Sequence, residues 1–384
     1  MIEKDIIGVS NRLKKAIKNK ENIILYGDAD LDGISSVILL EETIKTLGSN
    51  KVFAYFPDRE QDGYGLTLKA CEELKNYFPA LLILLDCGIG NFSEVKKAKE
   101  FGFEIIIIDH HEILKKLPKA DIILDPKKDK KDTPLKNLSN GGLCFKLIEK
   151  ILSKNFSPFL RKSFLELVAL STIADLMPLE DDNITFINEG IESLKNTFRP
   201  GLKAVKDYII STGENLSDFE MARRISSYLN ISKNENHFTK TYLLLKEENY
   251  EKAKLLAKDM IETAKRRYEE TLYITQELIE KIEEKDNFIL EGGPDIPLYL
   301  TGAVASKICQ KFNKPTFIFH QEDDISKGSV RTPKGMNSVK ILQDSSKFLL
   351  EGFGGHSAAA GFSIKNENLK LWEEFLKDYF KKNS

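Results

Sequence analysis

Cysteine is scarce in this sequence, and long apolar runs are missing. The cysteines lie far apart with no CxxC pair, which argues against a zinc site or a disulfide framework. No stretch approaches the roughly 18 apolar residues that span a bilayer, and Met1–Asp5 lacks the basic-then-apolar order of a signal peptide. These absences predict a cytoplasmic protein with reduced thiols and no membrane partner. The cysteines are Cys71, Cys87, Cys144 and Cys309.

An excess of positive charge is also missing. The formal net charge is −2 over 384 residues, whereas a protein that coats phosphates with a broad surface is strongly basic. Local basic runs occur at 127–131 and 265–267, and runs of this size are typical of solvated faces. With 41% apolar and 30% charged residues, the composition is that of an ordinary soluble protein with two or three domains, and it names no partner.

Glycine and proline are both absent from residues 214–291. Within this segment, apolar residues keep helical spacing from Ala257 through Leu272 to Ile282. The pattern predicts one long helix from about Asn249 to Lys285, roughly 55 Å long at 1.5 Å per residue. Because such a helix is longer than a small domain is wide, we expect it to connect two domains.

Short apolar runs alternate with helical patterns over the first 125 residues. Runs of this length, rich in leucine and β-branched residues, are typical of parallel strands that are buried on both faces. The alternation therefore predicts an α/β fold with a doubly wound parallel sheet. The predicted strands are Ile23–Leu25, Val52–Phe56, Leu81–Leu85, Glu104–Ile108 and Asp121–Leu124, and the predicted helices are Ile34–Leu47, Leu66–Tyr77 and Phe92–Phe101.

Acidic and imidazole side chains follow three of these strands. The first strand runs into 28–33, which holds three aspartates at alternate positions, the third runs into Asp86, and the fourth into 109–111. In a doubly wound sheet, ligands bind beyond the carboxyl ends of the strands, so we expect these side chains at one edge. A solvated acidic turn is the structural alternative at 28–33. An EF-hand loop does not fit, because Leu39 stands at its twelfth position.

Asp175 ends an apolar helix pattern that covers Phe164–Ile173, and Pro178 follows it. An aspartate in this setting is costly unless it caps the next turn, pairs with a cation or binds a metal ion. Capping and metal binding both remain open from this pattern alone.

Together these positions supply five carboxylates and two imidazoles, which is more than one partly hydrated cation needs. Two divalent cations that share a bridging carboxylate would use most of them, and the mixed oxygen and nitrogen donors favour Mn²⁺ over Mg²⁺. The set predicts metal-assisted hydrolysis of a phosphate ester or anhydride, with Asp109 orienting an imidazole. Its members are Asp28, Asp30, Asp32, Asp86, His110, His111 and Asp175.

A smaller α/β unit is predicted after 292–294. A glycine-rich loop, Glu351–Gly361, surrounds His356, which either caps a turn or grips a phosphate in a nest of backbone amides. The predicted division is a catalytic domain at 1–200, a helical region at 201–285 and a substrate-binding domain at 286–384. The unit's predicted elements are helices Gly302–Phe312 and Asn368–Phe380 and strands Thr316–Phe319, Lys327–Thr332 and Phe362–Ile364.

In their order, these motifs resemble those of the DHH phosphoesterases. The matching stretches are Asp28–Gly33, Asp86–Gly88, Asp109–His111 and Ala174–Asp175, with Glu351–Ile364 similar to the glycine-rich motif of the accompanying domain. Three further stretches point to the RecJ-like branch of that superfamily: Arg59–Leu66, Leu170–Asp175 and Lys327–Arg331. The resemblance covers roughly Glu21 to Tyr379. The chain is similar to a compact form that lacks the C-terminal oligonucleotide-binding barrel of bacterial RecJ enzymes.

The resemblance implies a two-metal exonuclease that digests single-stranded DNA from the 5′ end. It implies one ion at Asp28, Asp30 and Asp86, and a second at Asp32, Asp86, His110 and Asp175. His111 would face the scissile phosphate, which makes Asp86, His110 and His111 the expected catalytic residues. Phosphates would be bound in the second domain by Ser329, Arg331, Gly354, Gly355 and His356. Arg266 and Arg267 are weaker candidates for that task.

Two other functions stay open at this point. One is hydrolysis of very short RNA or dinucleotides by the same fold. The other is a replication-complex scaffold, although degenerate scaffolds tend to lose metal ligands and every expected ligand is present here. The expected partners are single-stranded DNA or RNA, together with replication or repair proteins.

Overall fold

The computed structural model describes residues 2–59, 63–113, 116–131, 133–230, 234–235, 237–282, 286–345 and 349–382. Contacts within the chain divide it into two compact units, Met1–Ala264 and Lys265–Ser384. The three-part division at residues 200 and 285 stays a prediction. Among the described residues, no helix is both long enough and apolar enough to cross a bilayer. Asp62 of the Arg59–Leu66 stretch and Lys285, the expected end of the long helix, lie outside these ranges.

The first unit is built on a sheet of five parallel strands, which confirms the predicted α/β class. The strand order is β2-β1-β3-β4-β5, so the direction of strand addition reverses between β1 and β3. In doubly wound sheets this reversal opens a crevice at the carboxyl ends of the two strands, where ligands bind. The strands are β1 (Asn22–Gly27), β2 (Val52–Tyr55), β3 (Ala80–Leu85), β4 (Glu104–Ile108) and β5 (Ile122–Leu124).

Alternate residues of the central strands enter two separate cores. Ile23 and Leu25 of β1 belong to one core, while Ile24 and Tyr26 belong to the other. Burial on both faces explains why these strands read as continuous apolar runs. The predicted strands all exist, Glu104–Ile108 with the predicted boundaries and the others with boundaries that differ by at most two residues.

Ten α-helices, a short hairpin, four 3₁₀ turns and the start of the long helix complete the described part of this unit. No element was predicted before Ile23, yet α1 covers the sheet with Val9 and Leu13, which are fully buried. The helices are α1 (Ile2–Lys18), α2 (Leu31–Thr46), α3 (Leu68–Leu74), α4 (Phe92–Glu100), α5 (Asn140–Leu152), α6 (Pro158–Ala174), α7 (Asp181–Leu194), α8 (Pro200–Ser211), α9 (Asp218–Leu229) and α10 (Lys240–Lys246), and the hairpin is β6 (Asn234–Glu235) with β7 (Phe238–Thr239).

The long helix is present as α11, Tyr250–Lys281. It begins in the first unit and ends in the second, as expected for a connecting element. Its observed start lies one residue from the predicted Asn249.

The second unit contains a mixed sheet in the order β11-β12-β10-β9-β8. The outer pair of β8 and β9 is parallel, and the other pairs are antiparallel. The strands are β8 (Ile289–Gly293), β9 (Thr316–Gln321), β10 (Ile325–Arg331), β11 (Leu350–Gly355) and β12 (Ala359–Lys365), and the helices are α12 (Thr301–Phe312), α13 (Ser338–Ser345) and α14 (Leu369–Lys382).

Two expectations for this unit were wrong. Most of the predicted loop Glu351–Gly361 forms strands, because Gly354 pairs with Gly361 across β11 and β12 and only the reversal at 356–358 remains a turn. The unit also begins earlier than 292–294, since β8 includes Gly292 and Gly293. Glycine disfavours strands locally, and here the ladder of neighbouring strands overrides that preference.

The core of the second unit contains the only tryptophan of the chain. Trp372 is fully buried, and its ring centroid lies 5.4 Å from that of Phe317 and 4.7 Å from that of Phe362. We expect Phe317→Ala to lower the free energy of unfolding of this unit by about 3–5 kcal/mol, because it removes a buried ring and leaves a cavity. Urea titration followed by tryptophan emission measures the change. Leu371→Ala is the matched control, since Leu371 is 55% exposed, and an equal loss in both variants would contradict this packing.

Candidate metal centre

The acidic turn at Asp28–Gly33 connects β1 to α2. A Cβ atom at Gly33 would lie 2.4 Å from the carbonyl oxygen of Asp28, so only glycine lets the helix start this close to the strand. Asp30 caps α2 with its side chain, accepting from the amides of Asp32 at 3.1 Å and Gly33 at 3.0 Å. The turn thus fixes all three carboxylates at the carboxyl end of β1, next to the reversal of strand order.

Arg59, which follows β2, supplies positive charge to two of these carboxylates. Its Nε donates to Asp28 Oδ1 at 2.7 Å, and a terminal nitrogen donates to the other oxygen of Asp28 and, at 2.9 Å, to Asp30 Oδ2. Burial opposes ionisation of Asp30, yet the charge of Arg59 and the amide of Gly33 hold its pKa below the ordinary value. Arg59 was not among the predicted site residues, although its place after a strand was the available signal.

Asp32 points at the amino-terminal end of α5. Its oxygens accept from the backbone amides of Asn140 at 2.7 Å and Gly141 at 2.8 Å. A Cβ atom at Gly141 would lie 2.6 Å from Ser171 Oγ and 3.2 Å from Asp32 Oδ1, so a side chain there would displace these groups. Burial first, and then the charge of Asp30, raises the pKa of Asp32 to about 7 despite these hydrogen bonds.

His110 presents one nitrogen to three carboxylates. Its Nδ1 lies 2.9 Å from the carbonyl oxygen of Leu138, and because a carbonyl only accepts, Nδ1 carries the proton. Its Nε2 lies 3.2 Å from Asp86 Oδ1 and 3.6 Å from oxygens of both Asp32 and Asp175. Burial and the nearby His111 lower the pKa of His110 to about 3. A neutral imidazole with an outward Nε2 lone pair is the form that binds metal ions.

Asp86 and Asp175 complete this group. Asp86 follows β3 with a left-handed backbone (φ +61°) and is buried, while Asp175 caps the carboxyl end of α6. Burial, followed by the charge of Asp32, raises the pKa of each well above its ordinary value.

Asp109 holds His111 and the loop after β4. Its carboxylate accepts from the amides of Ile89, His110 and His111 at 2.8–3.1 Å and from His111 Nδ1 at 2.8 Å. Although burial opposes it, the charge of Asp109 raises the pKa of His111 to about 9. The Tyr64 hydroxyl lies 3.3 Å from His111 Nε2 and donates to the backbone carbonyl of Asp86 at 3.2 Å. Tyr64 was not among the predicted site residues and lies within the Arg59–Leu66 stretch.

The donor set fits a divalent cation best around His110. Ligand atoms of Asp32, His110 and Asp175 all lie within 4.8 Å of one another, and Asp86 contacts the same imidazole nitrogen. The carboxylates here have raised pKa values because they are buried together, and a bound cation would remove that repulsion.

A second group is formed by Asp28, Asp30 and Asp86, whose ligand atoms also lie within 4.8 Å of one another. Arg59 already contacts Asp28 and Asp30, so an ion at these two side chains would compete with the guanidinium for the same oxygens. The electrostatic case for a cation is therefore weaker in this group than around His110.

The predicted phosphate-binding residues of the second unit lie on neighbouring strands. Ser329 and Gly354 both pair with Gly361, from opposite sides of β12. Gly355 is the next residue of β11, and His356 begins the turn to β12. These positions therefore meet at one end of three adjacent strands.

Arg331 lies two residues beyond Ser329 on β10 and is largely buried. Its Nε donates to Ser306 Oγ at 3.1 Å, and a Cβ atom at Gly302 would lie 2.8 Å from one of its terminal nitrogens. Burial lowers the pKa of Arg331 to about 10, and no described carboxylate forms an ion pair with it. The amino-terminal end of α12 thus lies against a guanidinium with no anionic partner among the described residues.

Comparisons with known proteins identify two family domains in this chain. The model of the DHH family, N-terminal domain, matches residues 22–172, and that of the DHHA1 domain matches residues 289–382. The chain is 33% identical to the single-stranded-DNA-specific exonuclease RecJ of Bacillus subtilis over 94% of its own length, but it spans only 46% of that relative.

Two solved structures extend the likeness to the fold. Exonuclease RecJ bound to manganese is 25% identical, with a TM-score of 0.78 over 97% of this chain and 94% of that one. RecJ of Thermus thermophilus in complex with Mn²⁺ has a TM-score of 0.83 at 24% identity, over 98% of this chain and 54% of that one. At this identity the second likeness concerns the fold alone.

The raised pKa values predict an unusual pH dependence of stability in EDTA. A carboxyl whose pKa is higher in the folded state favours folding at low pH and loses that contribution as the pH rises through the folded-state value, about 7 for Asp32. We expect the free energy of unfolding to fall by roughly 2–4 kcal/mol between pH 5 and pH 8, and Mn²⁺ to restore it at pH 8. Chemical denaturation across this pH range measures both effects.

Asp175→Asn should flatten that slope, because it removes one member of the repelling group. Asp121→Asn is the matched control, since Asp121 lies before β5 at the opposite edge of the sheet and pairs with Lys99. A slope that is equally steep in both variants would contradict the proposed repulsion.

Proposed function

The chain belongs to the DHH phosphoesterase superfamily, in its RecJ-like branch, and on this premise we propose that it hydrolyses single-stranded DNA from the 5′ end as a metal-dependent exonuclease. The observation that carries the proposal is the group of buried carboxylates around Nε2 of a neutral His110. Single-strand specificity is taken from the curated relatives, and the direction from the resemblance of the motifs.

We propose two divalent cations, with Mn²⁺ preferred over Mg²⁺. One is held by Asp32, Asp86, His110 and Asp175, and the other by Asp28, Asp30 and Asp86. When bound, such ions generate a hydroxide nucleophile at neutral pH and neutralise charge that develops on a phosphodiester. The mixture of carboxylate and imidazole donors supports the preference for Mn²⁺.

The chain's own residues orient these groups and the substrate. The carbonyl of Leu138 keeps the proton of His110 on Nδ1, so Nε2 always faces the carboxylates. Asp109 keeps His111 in the protonated form at neutral pH. A cationic imidazole at this edge attracts a phosphate and can donate a proton to a leaving oxygen, which is the role we propose for His111.

We further propose that the second unit binds phosphates of the strand. The guanidinium of Arg331, the hydroxyl of Ser329 and the amide end of α12 are anion-binding groups that lie together. Gly354, Gly355 and His356 lie two strands away at the same end of the sheet and would extend this surface.

Digestion of end-labelled strands tests the function. With Mn²⁺, we expect 5′-labelled single-stranded DNA to give short labelled products from the start of the reaction. The labelled strand of 3′-labelled DNA should shorten progressively, and duplex DNA should not be digested. Labelled RNA and a dinucleotide serve as competing substrates. Faster turnover of the dinucleotide than of a longer strand would contradict the exonuclease and favour the short-oligonucleotide hydrolase.

Asp86→Ala should abolish turnover while leaving the fold intact, because Asp86 is the carboxylate proposed to serve both ions. Calorimetric titration of the wild type with Mn²⁺ is expected to give two sites, and the variant should bind fewer ions. Asp121→Ala is the control for removing an aspartate elsewhere on the same sheet. Normal Mn²⁺-dependent activity in Asp86→Ala would refute the proposed site.

Arg331→Ala should raise KM for single-stranded DNA about tenfold, or ~1.4 kcal/mol, and change kcat much less, because it removes a phosphate contact away from the reacting atoms. Lys327→Ala is the matched control: Lys327 lies on the same face of β10 and already pairs with Glu322. A loss in kcat alone, or equal losses in the two variants, would contradict the assignment of Arg331.

A further inference from the structure

Leu176, the residue directly after Asp175, combines two unfavourable features. Its backbone is left-handed (φ +54°), and its side chain is 81% exposed. The left-handed conformation is strained for residues with a Cβ atom, and glycine is the usual residue where it is needed. Because most of the leucine side chain is exposed, burial of apolar surface does not offset this strain.

The strain comes from the way α6 ends. The amide of Leu176 donates to the carbonyl of Ile173 at 3.3 Å, and the amide of Met177 donates to that of Thr172 at 3.1 Å. This pair of hydrogen bonds closes a helix through a left-handed residue, which is most often glycine. The backbone geometry therefore does not explain why leucine stands at this position.

The segment that follows α6 is fixed at its backbone while its apolar side chains face solvent. The carbonyl of Pro178 accepts from Asn183 Nδ2 at 2.9 Å, and the same amide group donates to the carbonyl of Asn137 at 2.7 Å. Leu179 is 59% exposed, and Asn183 is fully buried. An ordered, exposed apolar surface thus begins one residue from Asp175.

We propose that Leu176, together with Leu179, is the contact surface for a nucleobase next to the scissile phosphate. The inference rests on the proposed function, since Asp175 belongs to the proposed metal centre. Contact with an apolar side chain removes the uncharged face of a base from water, and this gain does not depend on which base it is. The charge pattern agrees: 176–179 carries no charge, and of the acidic run 180–182 that follows only Asp182 pairs with a lysine of the described part of the chain, Lys146, so Glu180 and Asp181 would repel phosphates. The base side of the strand, not its backbone, therefore fits against this segment.

Leu176→Gly separates the backbone from the side chain. Glycine accepts the left-handed conformation, so the urea midpoint of unfolding should not fall. The ratio of kcat/KM for oligothymidylate to that for an abasic strand of equal length should fall roughly five- to tenfold, the effect of losing about half of a leucine side chain's burial. Leu176→Met, which keeps an apolar side chain, should retain the wild-type ratio.

Lys20 provides a matched control within the same unit. It is exposed, has φ +55° and ends α1 through the same two hydrogen bonds, from Lys20 to Ile17 and from Glu21 to Ala16. It also lies just before β1, at the amino ends of the strands and away from the carboxylates. In Lys20→Gly, as in Leu176→Gly, the urea midpoint of unfolding should not fall. The ratio of kcat/KM for oligothymidylate to that for the abasic strand should stay at the wild-type value.

The outcomes separate this inference from the function on which it rests. An unchanged ratio in Leu176→Gly, equal losses on both strands, or the same fall in Lys20→Gly would overturn the base contact and leave the exonuclease standing. A wild-type protein that digests neither strand with Mn²⁺ or Mg²⁺ would overturn the proposed function itself.

Discussion

The repulsion between carboxylates buried together at the crevice between β1 and β3 is the constraint on which the site depends. Parallel strands deliver Asp28–Asp32 and Asp86 to one edge, and the strand order places these two ends side by side. Taking such groups out of water raises the pKa values of Asp32, Asp86 and Asp175. The fold holds together a set of side chains that would separate if they were free to do so.

The protein offsets part of this repulsion with its own dipoles and charges, and the number of such partners differs from one carboxylate to the next. Asp30 caps α2, Asp32 lies at the amino-terminal end of α5, and Arg59 neutralises Asp28. Asp109 is satisfied by four donors. The pKa values of Asp32, Asp86 and Asp175 stay raised in spite of these contacts, which is why a cation is best accommodated where these carboxylates meet His110 Nε2.

Backbone conformations that glycine would adopt without strain recur around this centre on other residues. Asp86 is left-handed directly after β3, and Leu176 is left-handed directly after α6. In each case the strained backbone conformation carries a side chain where glycine would have only a hydrogen atom. For Asp86 the gain is a carboxylate beside His110, and for Leu176 it is the apolar surface proposed to receive a base.

The sequence alone determined the parallel sheet, the long helix and the list of acidic and imidazole residues, because apolar periodicity and residue order along the chain carry that information. Only the tertiary structure decided what surrounds them: Arg59 on Asp28, the end of α5 on Asp32 and the carbonyl of Leu138 on His110. It also turned most of the predicted glycine-rich loop into β11 and β12. These features depend on contacts between residues far apart in the chain, so no local pattern predicts them.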